Sequence, residues 1–179
     1  MTDQWPRYEV FKQDKAGQPH RNVGSVHAAD AELALLNARD VFARRPACYS
    51  LWVVPAEAIL QRTAEELAAL LDEGQSGGDS HIQFAVFSKQ SQRQGMTYVD
   101  YVGEVTARSP EEALRLGVER FNEPPGVVWW VCPEHLIHQS EAEDVAGFEA
   151  ATGKRFRLPN QYHTVFTMQK IRRSEGEET

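Results

Sequence analysis

The apolar positions near the start of the chain predict a hairpin and a helix in succession. Residues 7–13 and 20–28 are dense in β-branched and aromatic side chains and flank a turn, Asp14 to Pro19, that contains Gly17; they read as two paired strands. From Ala31 to Arg45 the period changes. Ala34, Leu35, Ala38, Val41 and Phe42 fall at helical spacing, with Asp30 placed to cap the start and Pro46 to end the run. Ser50 to Val54 is then a short unbroken apolar stretch, the mark of a strand covered on both faces or lying at an interface.

The same pattern returns. Val23-Gly24-Ser25-Val26 reappears as Val102-Gly103-Glu104-Val105, an offset of 79 (103 − 24), and Glu32, Ala34, Leu35, Ala38 and Phe42 keep that offset onto Glu111, Ala113, Leu114, Gly117 and Phe121. Trp52-Val53-Val54-Pro55 maps onto Trp130-Val131-Cys132-Pro133 at 78, and Val10-Phe11 onto Val86-Phe87 at 76. Small changes of offset at loops are what duplication followed by drift leaves, because loops tolerate insertion cheaply. The second copy marks its helix start with a capping box, Ser109 and Glu112, with Pro110 at the first helical position; Pro124-Pro125 stops it before a strand at Val127 to Cys132.

The expected architecture is therefore α+β: two tandem ββαβ modules forming a pseudo-twofold pair. The division expected is residues 1–73 for the first module, 74–80 (GQSGGDS) for a flexible linker, and 81–173 for the second, diverged module with a C-terminal tail. Between the modules, Thr63 and Glu66 form another capping box opening a helix to about Asp72. Beyond the second, Ser140 to Thr152 has helical spacing with Gly153 as its C-cap, Val165 to Met168 reads as a last strand, and residues 174–179 as disordered.

Charge and composition narrow the function. A net charge of −7 argues against the phosphate-neutralising surface that nucleic-acid binding needs. No basic-then-apolar leader and no stretch of membrane-spanning length is present, so a cytoplasmic protein is expected. Cys48 and Cys132 are far apart and outside any CxxC pair, and read as buried apolar residues rather than reactive thiols. No phosphate loop, GxGxxG or Glu-x-x-His occurs. Glu134, His135 and His138 are the best metal candidate, since two imidazoles three apart can share a helix face, but they lack an obvious third ligand; solvated or packing histidines are the plainer reading. His20 and His27 lie an odd seven residues apart on one strand, which turns them to opposite faces unless a bulge intervenes. No catalytic residue, cofactor or metal is assigned.

What remains looks made for protein contact. Trp52, Trp129 and Trp130 crowd the ends of the two third strands, either as core or as an interface between modules or with a partner. Arg39, Asp40, Arg44 and Arg45 decorate the first helix, where Arg39 and Asp40 beside the apolar stripe suit an interface and Arg44 and Arg45 also suit the helix C-terminus. From Lys154 to Arg173 there are six basic residues and no acidic one, a patch able to dock an acidic surface or to balance the acidic stretch at 141–144.

These residues also carry a resemblance. Trp5-Pro6-x-Tyr8-Glu9-Val10-Phe11, His20-Arg21-x-Val23-Gly24-Ser25-x-His27-Ala28-Ala29-Asp30, Ala34-Leu35-x-Asn37-Ala38-Arg39-Asp40, Ala43-Arg44-Arg45 and Leu51-Trp52-Val53-Val54 closely resemble the PaaB-type phenylacetate-degradation proteins, accessory components of phenylacetyl-CoA 1,2-epoxidase. The match takes in nearly all of the first module and includes polar positions that a generic core would not fix. The resemblance implies a ubiquitin-like roll and a small accessory subunit of a bacterial multicomponent monooxygenase. Its partners would be a ferritin-like di-iron subunit, a structural sister subunit and a flavin and iron-sulfur reductase. The second module departs from the signature, with Thr106, Ser109 and Val118 where the first has His27, Asp30 and Arg39, while Lys154-Arg155-Phe156-Arg157-x-Pro159 resembles the family's tail. A homodimer fused into one chain is the expectation that follows. The alternatives are a stand-alone small-molecule binding or regulatory module, which requires a deep apolar pocket, and a metalloenzyme using Glu134, His135 and His138.

Overall fold

The computed structural model describes residues 4–43, 48–70, 81–90, 99–141 and 143–144. Arg44 and Arg45, the linker at 74–80, nearly all of the helix expected at 140–152, and the tail beyond it lie outside the described residues.

Strands β1 (Arg7–Gln13) and β2 (Arg21–His27) form the expected hairpin. Helix α1 (Ala31–Ala38) starts where Asp30 Oδ1 accepts the Leu33 amide at 2.8 Å. The expected single helix to Arg45 is corrected: the α-helix ends at Ala38 and continues as a π-helical turn, Arg39–Ala43. Apolar spacing over one turn cannot distinguish the two pitches. Strand β3 (Ser50–Pro55) follows, then a 3₁₀ turn, Ala56–Ala58, and β4 (Leu60–Thr63). Helix α2 (Ala64–Leu70) opens with the predicted capping box: Thr63 Oγ1 accepts from the Glu66 amide, and Glu66 Oε2 from the Thr63 amide.

The second half runs β5 (Ile82–Lys89), β6 (Asp100–Ala107), α3 (Pro110–Phe121), β7 (Val128–Pro133), a 3₁₀ turn at Glu134–Leu136, and β8 (His138–Gln139). Ser109 Oγ accepts the Glu112 amide at the start of α3. Among the described residues no helix is long and apolar enough to cross a membrane.

The eight described strands join one antiparallel sheet in the order β4-β7-β5-β6-β2-β1-β3-β8. That order forces the sheet to curl. β3 and β4 stand six positions apart in it, about 29 Å across a flat sheet at roughly 4.8 Å per strand, yet the chain from Pro55 to Leu60 that joins them spans about 18 Å at most. The same holds for β7 and β8. Alternation along each strand then supplies two faces. Tyr8, Val10, Leu51 and Val53 point to α1, and Phe84, Val86, Trp129 and Val131 belong to the core under α3. Phe11, Val54, Ala85, Phe87, Val99, Trp130 and Cys132 fill a third, inner core drawn from both halves. The third strand of each half is thus covered on both faces, as its unbroken apolar run predicts.

The pairings between halves come in matching sets. Arg21 pairs with Asp100, its counterpart 79 residues on, at the β2–β6 junction, where Asn22 N–H donates to Val99 O and Tyr101 N–H donates to His20 O. Strand β4 crosses to pair with β7 (Leu60 with Val131, Gln61 with Trp130), and β8 crosses to pair with β3 (His138 with Val53, Gln139 with Trp52). Sequence reading missed both short crossing strands, because β4 and β8 carry little apolar pattern and their partners are distant in sequence. Each hairpin also carries a bulge, at Val10/Phe11 and at Val86/Phe87, opposite Gly24 (φ +133°) and Gly103 (φ +152°). A Cβ on Gly103 would lie 2.5 Å from Phe121 Cζ, and one on Gly24 3.1 Å from Phe42 Cζ, so each glycine admits the aromatic ring that closes its helix onto the sheet.

Candidate functional site

Helix α1 and the π-helical turn after it carry two of the large apolar side chains left exposed among the described residues, Trp5, Tyr49 and Ile82 being exposed elsewhere. Ala34 and Ala38 meet the sheet, and their small size brings the helix close. Leu36 is 52% and Val41 62% exposed, and Arg39 and Asp40, between them in the sequence, are exposed as well. The counterparts on α3 of Leu36 and Val41 are Arg115 and Arg120, and α3 is amphipathic where α1 is apolar on several sides. Arg120 lies over the Phe121 ring at 5.3 Å.

The three tryptophans do not join this face. Trp129 is 1% exposed in the core under α3, and Trp130 is 9% exposed in the inner core, edge-on to Phe11 at 6.3 Å. Both therefore leave the set of partner-interface candidates: their alternating directions on β7 put one in each core. Trp52 is half-buried and belongs to a seam between the halves.

That seam was not anticipated as a unit, since its members come from separate strands and the turn before β2. His20 stacks on Trp52 (centroids 3.5 Å apart, planes 15°) and its Nε2 lies 3.1 Å from Ser50 Oγ. Trp52 meets Tyr101 edge-on at 5.2 Å, and the Tyr101 hydroxyl donates to Glu104 at 2.8 Å. Burial lowers the His20 pKa to about 4, so the ring is neutral at physiological pH. Burial, then the Glu104 carboxylate, pushes the Tyr101 hydroxyl upward. His27 turns away, its Nδ1 on Trp5 O at 2.9 Å, so the two histidines share no site.

Burial likewise raises the Cys48 thiol to about 11 and Cys132 to about 12, leaving both protonated. Glu134 and His135 sit in the 3₁₀ turn and His138 on β8, so the helix face that was to align the two imidazoles does not form. Among the described residues no three His, Cys, Asp or Glu side chains gather as a metal site. A cleft of about 710 Å³ beside α3 mixes Val102, Val118 and Phe121 with Glu119, Arg120 and Glu123, a wall unlike the deep apolar pocket a small-molecule module requires.

Fold and surface together define a mixed α+β protein built on one curled antiparallel sheet. The family described as phenylacetic acid degradation B matches residues 4–77. Over 80 residues the chain is 46% identical to the B component of the 1,2-phenylacetyl-CoA epoxidase of Escherichia coli (strain K12), covering 45% of this chain and 84% of that protein. No solved structure matches the chain. The chain belongs to the phenylacetic acid degradation B family.

Proposed function

We propose that this chain is a non-catalytic subunit of a multicomponent oxygenase that epoxidises phenylacetyl-CoA in phenylacetate degradation, acting in the cytoplasm with no cofactor of its own. Its partners are the di-iron oxygenase subunit, that subunit's structural sister and the reductase, and its role is to organise them or to help couple the reductase. The observation that carries the reading is the 46% identity spanning 84% of an epoxidase component. The protonated thiols accord with it, because neither is poised as a nucleophile.

The chain is further read as two ββαβ modules fused from an ancestral homodimer. Support comes from the register: residues one repeat apart meet at the β2–β6 junction, and the crossing strands exchange in matching pairs. The ion pair there, Arg21 Nε to Asp100 Oδ1 at 3.3 Å, has opposite charges where a symmetric dimer would set each residue against its own copy. Arg39, Asp40, Arg44 and Arg45 remain its proposed partner-facing residues.

The test is to mix the purified chain with the other epoxidase subunits encoded by the same source. A stable complex at micromolar concentration is the expected result; separate elution of the chain under those conditions would refute the assignment.

A further inference from the structure

Resting on the reading of the chain as a fused pair, we propose that residues 142–148 form a helix that seats Val145 in the core under α1, as α2 seats Leu67 in the core under α3. Each half then closes the other's core, and the family-matched first half is completed by chain that follows the second.

Three observations converge. The repeat runs on past β4: Thr63-Ala64-Glu65-Glu66-Leu67-Ala68-Ala69-Leu70 returns as Glu141-Ala142-Glu143-Asp144-Val145-Ala146-Gly147-Phe148, an offset of 78 (145 − 67). Ala64, Glu65 and Ala68 recur unchanged, and the large apolar residues Leu67 and Leu70 recur as Val145 and Phe148. The described residues at the start of that stretch repeat the geometry of α2. β8 pairs with β3 as β4 pairs with β7, at the same offset, and Glu141 N–H donates to Asp144 Oδ2 at 2.9 Å where Thr63 N–H donates to Glu66 Oε2 at 2.8 Å.

The third observation is the place the helix fills. Every buried residue of the core under α3 has a counterpart in the core under α1, from Phe84 and Tyr8 to Val131 and Val53, save Leu67. Leu67 is 8% exposed there and Leu114 fully buried, whereas Leu35, the counterpart of Leu114, stays partly open among the described residues. Val145 is the counterpart of Leu67, and it follows Asp144 directly on a chain that leaves β8 beside α1. The occupant of that place is therefore the chain itself, and an apolar side chain there adds burial at no cost in linker. The basic run from Lys154 to Arg173 then sets out from the first half rather than the second.

The experiment compares Val145→Asp with Leu67→Asp in the full chain, by hydrogen exchange read with mass spectrometry and by Tm. Each variant puts a charge where the account places an apolar core contact. The expected result is reciprocal: Val145→Asp speeds exchange about tenfold or more in α1 and β3, Leu67→Asp does so in α3 and β7, and both lower the Tm. Should an Asp variant fail to fold, Val145→Ala and Leu67→Ala replace the pair, with the same reciprocal pattern at smaller amplitude expected. A Val145 variant with wild-type Tm and wild-type exchange in α1, beside a Leu67 variant that disturbs α3, overturns the proposal and leaves the fused-pair reading intact. So does a Val145 variant that loosens α3 instead of α1. Variants at both positions that leave exchange unchanged throughout overturn the fused-pair reading and this proposal together.

Discussion

Helices α1 and α3 occupy equivalent places over equivalent hairpins, each with a phenylalanine ring lodged over a bulge glycine, and they meet water differently. α3 carries Arg115, Glu119 and Arg120 where α1 and its π-helical extension carry Leu36, Asp40 and Val41. The inner faces match because the sheet dictates them: Ala34 and Ala113 lie fully buried at the same position, and Leu51 and its counterpart Trp129 are both in the core. Where sheet contact constrains a residue the two halves agree, and where it does not they diverge. The divergence is therefore informative about what each half does beyond folding.

The largest effects should come from the inner core, which tests whether the halves are separable at all. Phe11 and Phe87 stack at 4.3 Å across the molecule, so Phe11→Ala or Phe87→Ala should each cost about 3–5 kcal/mol and lower a single calorimetric transition. Two resolved transitions would mean that the halves fold independently. The next pair sets one half against the other: Gly103→Ala and Gly24→Ala should each destabilise by about 1–3 kcal/mol in denaturant titration. Gly103→Ala should be the worse, because a Cβ there would lie 2.5 Å from the Phe121 ring against 3.1 Å from Phe42 at Gly24.

A pH effect separates the halves more gently. His20 in the first half has Val99 as its counterpart in the second, so only one side titrates. Its pKa falls from 6.5 to about 4 on folding, so the unfolded chain binds a proton that the folded chain refuses between those values. The His20 contribution is complete above pH 6.5 and is lost as pH falls towards 4. Thermal melts across that window should show Tm declining with acidity, and His20→Gln should flatten the decline. The smallest effect belongs to the half-exposed Arg21–Asp100 pair: Asp100→Ala should change stability by only about 0–1 kcal/mol.

Much of this was legible in the sequence. Periodicity and capping residues located both hairpins, α1, α2 and α3, because those signals are local: Asp30, Thr63 with Glu66, and Ser109 with Glu112 each act within a single turn. The crossing strands β4 and β8 were not, since nothing in Leu60–Thr63 or His138–Gln139 indicates that a distant strand completes them. The residues the sequence offered for an interface part ways in their burial. Arg39 and Asp40 stand out in the sequence and do lie exposed, whereas Trp129 and Trp130 have the composition of an interface and the burial of a core. Leu36 escapes a reading by periodicity because it sits off the apolar stripe that defines the helix, and it lies exposed where the equivalent position of α3 carries Arg115.

The central claim is that this chain works as a subunit of an epoxidase assembly. It is tested most directly by phenylacetyl-CoA turnover with the catalytic, sister and reductase components held constant and the chain added or withheld. Epoxide formation is expected to rise on addition of the chain and to saturate as the chain is titrated in. Turnover that is indifferent to the chain at every ratio would contradict the claim.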